Sequence, residues 1–216
     1  MDLDGIGRVV VVAPHPDDES LACGMLLAAA AAGRIEIRVI AVTDGEAAYP
    51  GLDPAALAAL RRAEQEAALA ELGVAASALS RLGLPDGAVA DHTDELAAAI
   101  APHLERRTLL VAPSIHDWHP DHEACGLAAT GAAAGTDGPV WSSLFWAHHH
   151  PEKLLASAPT FARFAGTAAH AQARHRAIRC HQTQLTAPAT DIEPILTPER
   201  LGHLESGDEY YVVERR

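Results

Sequence analysis

Two short clusters in this 216-residue chain carry the residue types that bind metals and move protons: His15-Pro-Asp17-Asp18-Glu19 and His119-Pro-Asp121-His122. Imidazole nitrogens and carboxylate oxygens are the donors of a borderline divalent metal such as Zn²⁺. Two imidazoles with one carboxylate leave positions open for water and a substrate. The same set also suits Fe²⁺. A carboxylate left over beside the ligands is what a general base requires. Asp18 and Asp121 have a structural reading as well, because aspartate at the start of a helix is a common cap. A lone His-x-x-His spacing says little, whereas two clusters that each follow a strand and open a helix point together to a metal site.

The elements that must position these clusters are legible as alternating patterns. Arg8–Ala13 is a β-branched run of the kind buried on both faces of a sheet, and Ile35–Thr43 and Thr108–Ala112 read the same way. Leu79–Leu82 is a short strand, Val140–Ala147 and Phe161–Gly166 are further strands, and Glu209–Glu214 is expected as a closing edge strand. Helices are expected over Glu19–Gly33, Pro54–Gly73, Thr93–Arg106, Pro120–Ala134 and Ala168–Gln184, the fourth opened by a proline in the first helical position. In the second helix, Arg61, Glu64 and Glu66 are placed on the wet side, with Leu60, Ala67, Ala68 and Leu72 inward. This order predicts one α/β domain over residues 1–216, a Rossmann-like three-layer sandwich whose mostly parallel sheet carries helices on both faces. Ligands of such folds sit at the carboxyl ends of the strands, where both clusters fall. If the first strand and Thr108–Ala112 are neighbours, the clusters share one crevice.

Composition narrows the partners. The chain has 16 basic and 29 acidic residues, a formal charge of −13, which argues against nucleic acid. The longest apolar run, Met25–Ala32, is too short to cross a bilayer, which takes about 20 residues. The first eight residues lack the basic-then-apolar pattern of a signal peptide, and the three cysteines, Cys23, Cys125 and Cys180, form no close pair. The cytoplasm is therefore the expected location. A nucleotide-binding module is disfavoured, because two aspartates and no Gly-x-Gly-x-x-Gly follow the first strand.

The motif Ala13-Pro-His15-Pro-Asp17-Asp18-Glu19, with His119-Pro-Asp121-His122, resembles the two signatures of the PIG-L/LmbE-like deacetylases. Arg61-x-x-Glu64, Leu84-Pro-Asp86-Gly87, His181-Gln-Thr-Gln184 and Glu209-Tyr-Tyr211 are similar to further motifs of that family, so the resemblance spans most of the chain. Arg174 stands where a lysine is usual, and Pro14 is an added proline before the first histidine. The resemblance implies a Zn²⁺-dependent enzyme that removes an acetyl group from the nitrogen of an N-acetylglucosamine-type sugar. It implies His15, Asp18 and His122 as metal ligands and Asp17 as base. It also implies that a protonated His119 assists the intermediate and the leaving amine, and that Arg61 and Asp86 line the sugar pocket. An amidase acting on a larger acyl group in the same site is the alternative activity, and self-association into a homo-oligomer is left open.

Bland readings stand beside these. Arg61 would equally pair with Glu64 or Glu66 on a solvated helix face. Asp86 suits a Pro-Asp-Gly turn, Asp121 suits orienting an imidazole, and His181 suits a structural bond to a loop. His148-His-His150 reads as a loop at a pocket rim, with Trp141 and Trp146 available to stack on a sugar face and His116, Asp117 and Trp118 as candidate lining. Cys125 reads as a small core residue.

Overall fold

A computed structural model describes residues 2–156, 160–187, 192–205 and 208–213. Seven strands among them form one sheet in the order β3-β2-β1-β4-β5-β7-β6. They are β1 (Arg8–Ala13), β2 (Glu36–Ala41), β3 (Leu79–Arg81), β4 (Thr108–Pro113), β5 (Val140–Ser143), β6 (Phe161–Ala165) and β7 (Asp208–Val213). The first five are parallel, and β1 pairs with both β2 and β4, so the strands that precede the two clusters are neighbours. The helices are α1 (Asp18–Ala32), α2 (Pro54–Glu71), α3 (Thr93–Ile100), α4 (Pro120–Ala132), α5 (Pro151–Ala156), α6 (Ala168–Ile178), α7 (Gln182–Leu185) and α8 (Pro198–Leu201).

Alternation along β1 divides the core in two. Val9, Val11 and Ala13 pack with residues of α1, α2 and α6 on one face, while Val10 and Val12 pack with Leu96 and Ile100 of α3 and the alanines of α4 on the other. This is the expected three-layer arrangement, and both faces exclude water from the strands that carry the site. No helix of the described residues is long and apolar enough to cross a membrane.

Several expected boundaries shift for physical reasons. The third helix stops at Ile100, and Pro102 lies in a 3-10 turn, Ala101–His103, because proline cannot continue the ladder. β5 ends at Ser143, and Trp146–His149 is a 3-10 turn rather than strand. The last long helix is interrupted, so His181 precedes α7 instead of lying inside one helix. The closing strand is not an edge: β7 lies antiparallel between β5 and β6, leaving β6 outermost, and Glu214 lies outside the described residues.

β7 also grips α1. Glu209 accepts hydrogen bonds from the backbone N–H groups of Met25 and Leu26, at 2.6 and 3.0 Å, and the Tyr211 hydroxyl lies 3.2 Å from the Ala22 carbonyl. On the other face, α4 packs directly on the end of β4. A Cβ at Gly126 would meet the Pro113 carbonyl oxygen at 2.5 Å and the Ile115 nitrogen at 3.1 Å, both backbone atoms that cannot swing aside. Gly126→Ala is therefore expected to destabilise the fold by about 1–3 kcal/mol, the usual cost of overpacking, read as a lower midpoint in urea unfolding. An unchanged midpoint would mean that α4 has slack against β4.

Candidate metal centre

The residues after β1 turn sharply. The Asp17 and Asp18 backbone N–H groups both point to the His15 carbonyl, and α1 begins at once. Neither Asp18 nor Asp121 caps its helix. α4 is capped by His119, whose Nδ1 accepts from the Asp121 N–H at 3.3 Å. Trp118, just before it, adopts φ 58°, a left-handed conformation rare for a bulky residue. That turn separates Asp117, buried on one side, from His119 on the other.

Three donor atoms converge. His15 Nδ1, His122 Nε2 and Asp18 Oδ2 stand 3.3 Å from one another on all three sides. Two donors bound to one metal at about 2.0 Å and the tetrahedral angle lie about 3.3 Å apart, so the triangle has the dimensions of one face of such a site. Each imidazole is backed by carboxylate. His122 Nδ1 lies 2.7 Å from Asp117 Oδ2, and His15 Nε2 lies 3.2 Å from both Asp121 and Asp86. Those carboxylates are themselves tied to backbone. Asp117 accepts from the N–H groups of Phe145 and Ala147, Asp121 from Gly87 and Val89, and Asp86 from Ala47. Backing of this kind fixes ring orientation and tautomer in metal-binding histidines.

The local field favours a cation. Burial opposes charge on His15 and His122, but the carboxylates outweigh it, so His15 is raised well above 6.5 and His122 to about 9. Burial likewise opposes charge on Asp18, yet the two imidazoles hold it well below the ordinary carboxylate range. The donor set and its field fit a divalent metal, whose binding would displace the imidazole protons.

Above the triangle lies a cleft of about 310 Å³, at the lower end of small-molecule sites, which run to roughly 300–1,000 Å³. His15, Asp17, Asp18, Arg61, Asp86 and His119 line it, with Phe145, Trp146, Ile195 and Leu196 as apolar wall, while His122 lies beneath the floor. Burial raises Asp17 to about 6 against the pull of Arg61, whose guanidinium is 3.3 Å away. Burial and the charges of His15 and His122 push His119 down to about 4. With Nδ1 accepting from backbone, the neutral ring carries its proton on Nε2. In that form it offers an N–H hydrogen bond.

All seven residues singled out for the site come together here. Arg61 corrects the helix phase: it is 3% exposed and donates to the Gly45 carbonyl, whereas Leu60, expected inward, is 56% exposed and Ala67 is exposed too. A Cβ at Gly45, where φ is +66°, would overlap the Arg61 guanidinium. Trp141 packs in the core against Tyr211 and cannot reach a ligand, while Trp146 stacks on His119 with ring centroids 6.1 Å apart. His116 is exposed, and Asp117, not its neighbours, is the residue of that loop turned inward. His181 bonds Ser20 of α1, at 3.1 Å, and not a loop. Cys125 is buried in the core.

The sequence pattern of the family described as "PIG-L: GlcNAc-PI de-N-acetylase" matches residues 10–133. The chain belongs to the PIG-L family. It is 34% identical over 133 residues to a probable N-acetyl-alpha-D-glucosaminyl L-malate deacetylase 2 of Bacillus subtilis (strain 168), covering 56% of this chain and 58% of that protein. It is 30% identical over 260 residues to a 1D-myo-inositol 2-acetamido-2-deoxy-alpha-D-glucopyranoside deacetylase of Mycolicibacterium gilvum (strain PYR-GCK), covering 96% of this chain and 91% of that protein. The chain thus spans less than two thirds of the first of these relatives. Its fold is similar to that of N,N'-diacetylchitobiose deacetylase from Pyrococcus horikoshii, with TM-score 0.67 at 21% identity over 86% of this chain and 75% of the other.

Asp117 gives this PIG-L site its first test. Asp117→Asn keeps size but sets an amide N–H₂ against backbone donors and weakens the hold on His122. Metal affinity is expected to fall about 10–100-fold, measured by chelator competition. Unaltered affinity would reduce Asp117 to a loop tie.

Proposed function

We propose that this PIG-L family chain is a Zn²⁺-dependent amide hydrolase that removes the acetyl group from an N-acetylglucosamine-type sugar or small glycoside. The observation that carries the reading is the 3.3 Å triangle of His15, Asp18 and His122, with the Asp17 carboxylate beside it lining the cleft. The deacetylase names of the relatives support the same chemistry.

In this reading His15, Asp18 and His122 hold the metal. When bound, it supplies Lewis acidity that polarises an amide carbonyl and acidifies an attacking water. Asp17 accepts the proton of that water, held in place by Arg61. His119 donates its Nε2–H to the oxygen that gains charge as the carbonyl becomes tetrahedral. Asp17 then returns the proton to the departing nitrogen, so water and amide become acetate and free amine. Arg61 and Asp86 bound the sugar side of the cleft, Asp86 also steadying His15. The reading treats residues 1–216 as one domain acting on a small molecule, and the free thiols of Cys23, Cys125 and Cys180 support a reducing compartment such as the cytoplasm.

The apolar wall of Phe145, Trp146, Ile195 and Leu196 favours a second reading, in which the same site cleaves a larger acyl amide. A series of N-acyl glucosamines of rising chain length separates the two. Acetyl should be fastest, and a rate that rises with chain length would favour the second.

Asp17 and its neighbour should separate cleanly. Asp17→Asn is expected to keep its metal while kcat for acetate release falls by about 10²–10⁴. Asp18→Asn is expected to lose metal, because a neutral amide is a poor replacement for a ligand carboxylate. Metal content and turnover of both variants give the answer, and the reverse pattern would exchange their roles. His122→Ala should likewise purify without stoichiometric metal.

A further inference from the structure

The apolar wall of the cleft comes in two halves, Phe145–Trp146 and Ile195–Leu196. Ile195 and Leu196 belong to no helix or strand, so their backbone groups need partners outside any ladder, and those partners decide where the wall stands. The Ile195 N–H donates to the Tyr49 hydroxyl at 3.1 Å, and the Leu196 N–H to the Gln184 carbonyl at 2.9 Å. The Ile195 carbonyl accepts from Arg200 Nη1. Both backbone polar groups of one wall residue are thus held by side chains that do not themselves line the cleft.

Each fastener is itself anchored. The buried Tyr49 donates its hydroxyl proton to the Thr183 carbonyl at 3.0 Å. Thr183 is tied to α2 in turn, donating to Glu64 from its N–H at 2.8 Å and from its hydroxyl at 2.6 Å. The Arg200 N–H donates at 3.3 Å to the Thr197 hydroxyl, which caps α8. The Arg200 guanidinium also lies over the Trp146 ring, 5.6 Å from its centroid and within cation–π range, so it joins the two halves of the wall. The first half is fixed from behind, because Asp117 accepts from the Phe145 and Ala147 N–H groups at 3.0 Å each. A wall fastened in both halves and across the seam does not retreat before a bulkier group unless hydrogen bonds break.

We propose that Tyr49 and Arg200 are positioning residues for substrate specificity: by holding the N–H and the carbonyl of Ile195 they fix the apolar wall as a stop that limits the length of the acyl group. The proposal rests on the amide-hydrolase reading for the identity of that group, with Arg61 and Asp86 on the sugar side and the wall opposite the acyl chain. The fastening itself stands on the backbone bonds alone.

The test compares N-acetyl-, N-propionyl- and N-butyrylglucosamine on the metal-loaded full chain and on two variants, Tyr49→Phe and Arg200→Met. Phenylalanine keeps the ring and loses both hydroxyl bonds, whereas methionine keeps an unbranched chain and loses the guanidinium. On the unaltered protein, kcat/KM for acetyl should exceed that for butyryl by at least about tenfold. In each variant that ratio should shrink about 3–10-fold, the usual worth of one hydrogen bond, with metal content unchanged. A purely structural role would lower the melting temperature and scale all three substrates alike. An acyl ratio unchanged in both variants therefore overturns the proposal and leaves the hydrolase reading standing. A preference for butyryl on the unaltered protein overturns it as well. If one variant fails to fold, the other decides. If the unaltered protein cleaves none of the three amides, the hydrolase reading falls, and calorimetric binding of the same sugars to the same proteins takes over. An acetyl preference that shrinks in the variants then supports the wall as a stop, and equal ratios overturn it.

Discussion

A single oxygen, Asp18 Oδ2, lies 3.3 Å from an imidazole nitrogen contributed by its own loop and from another contributed by α4. Everything around it serves to keep that encounter. The two imidazoles arrive from chain positions 107 residues apart, and they meet because β1 and β4 are adjacent and parallel, which brings their carboxyl ends to one place. The cost is a concentration of negative charge: Asp17, Asp18, Asp86, Asp117 and Asp121 crowd round three histidines. Backbone N–H groups absorb much of it at Asp86, Asp117 and Asp121. What they do not absorb is a standing demand for a cation between the donors.

The same balance explains why Arg61 is inside. A guanidinium buried on α2 compensates Asp17, and the loop at Gly45 is shaped to receive it, with a glycine where a side chain would collide. Gln65, one turn on, continues the polar contact to Glu19, while Ala68 and Leu69 return the helix to the core. α2 therefore faces the sheet with a stripe that is polar near the site and apolar away from it.

How much of this can be read from the chain follows from that stripe. The strands and the two clusters stand out because β-branched runs and imidazole–carboxylate groups are chemically distinct, whereas the adjacency of β1 and β4 is conditional in the sequence and is supplied by the pairing in the sheet. The phase of α2 does not stand out, because its alanines give little contrast between faces and hydrophobicity alone turns Leu60 inward. Asp117 is hidden for another reason: its reach to His122 depends on the left-handed turn at Trp118, which no spacing rule signals. The break before α7 is hidden too, since the helical pattern runs on through His181 without a proline or glycine to mark it. The place of β7 inside the sheet is a matter of long-range pairing, invisible in a pattern that an edge strand would share.

The grip of β7 on α1 also sets an order of events in time. Glu209 follows Met25 by 184 residues, so a ribosome adding about 5–20 residues per second needs about 10–40 s to supply the carboxylate that fastens the helix bearing Asp18. During that interval the His15–Asp18 loop already exists on the nascent chain, while the strand that steadies it from behind does not. The support behind the His15–Asp18 loop is therefore completed only once β7 has been made, and a chain stalled before Glu209 would expose an acidic, histidine-bearing loop without the carboxylate that fastens α1.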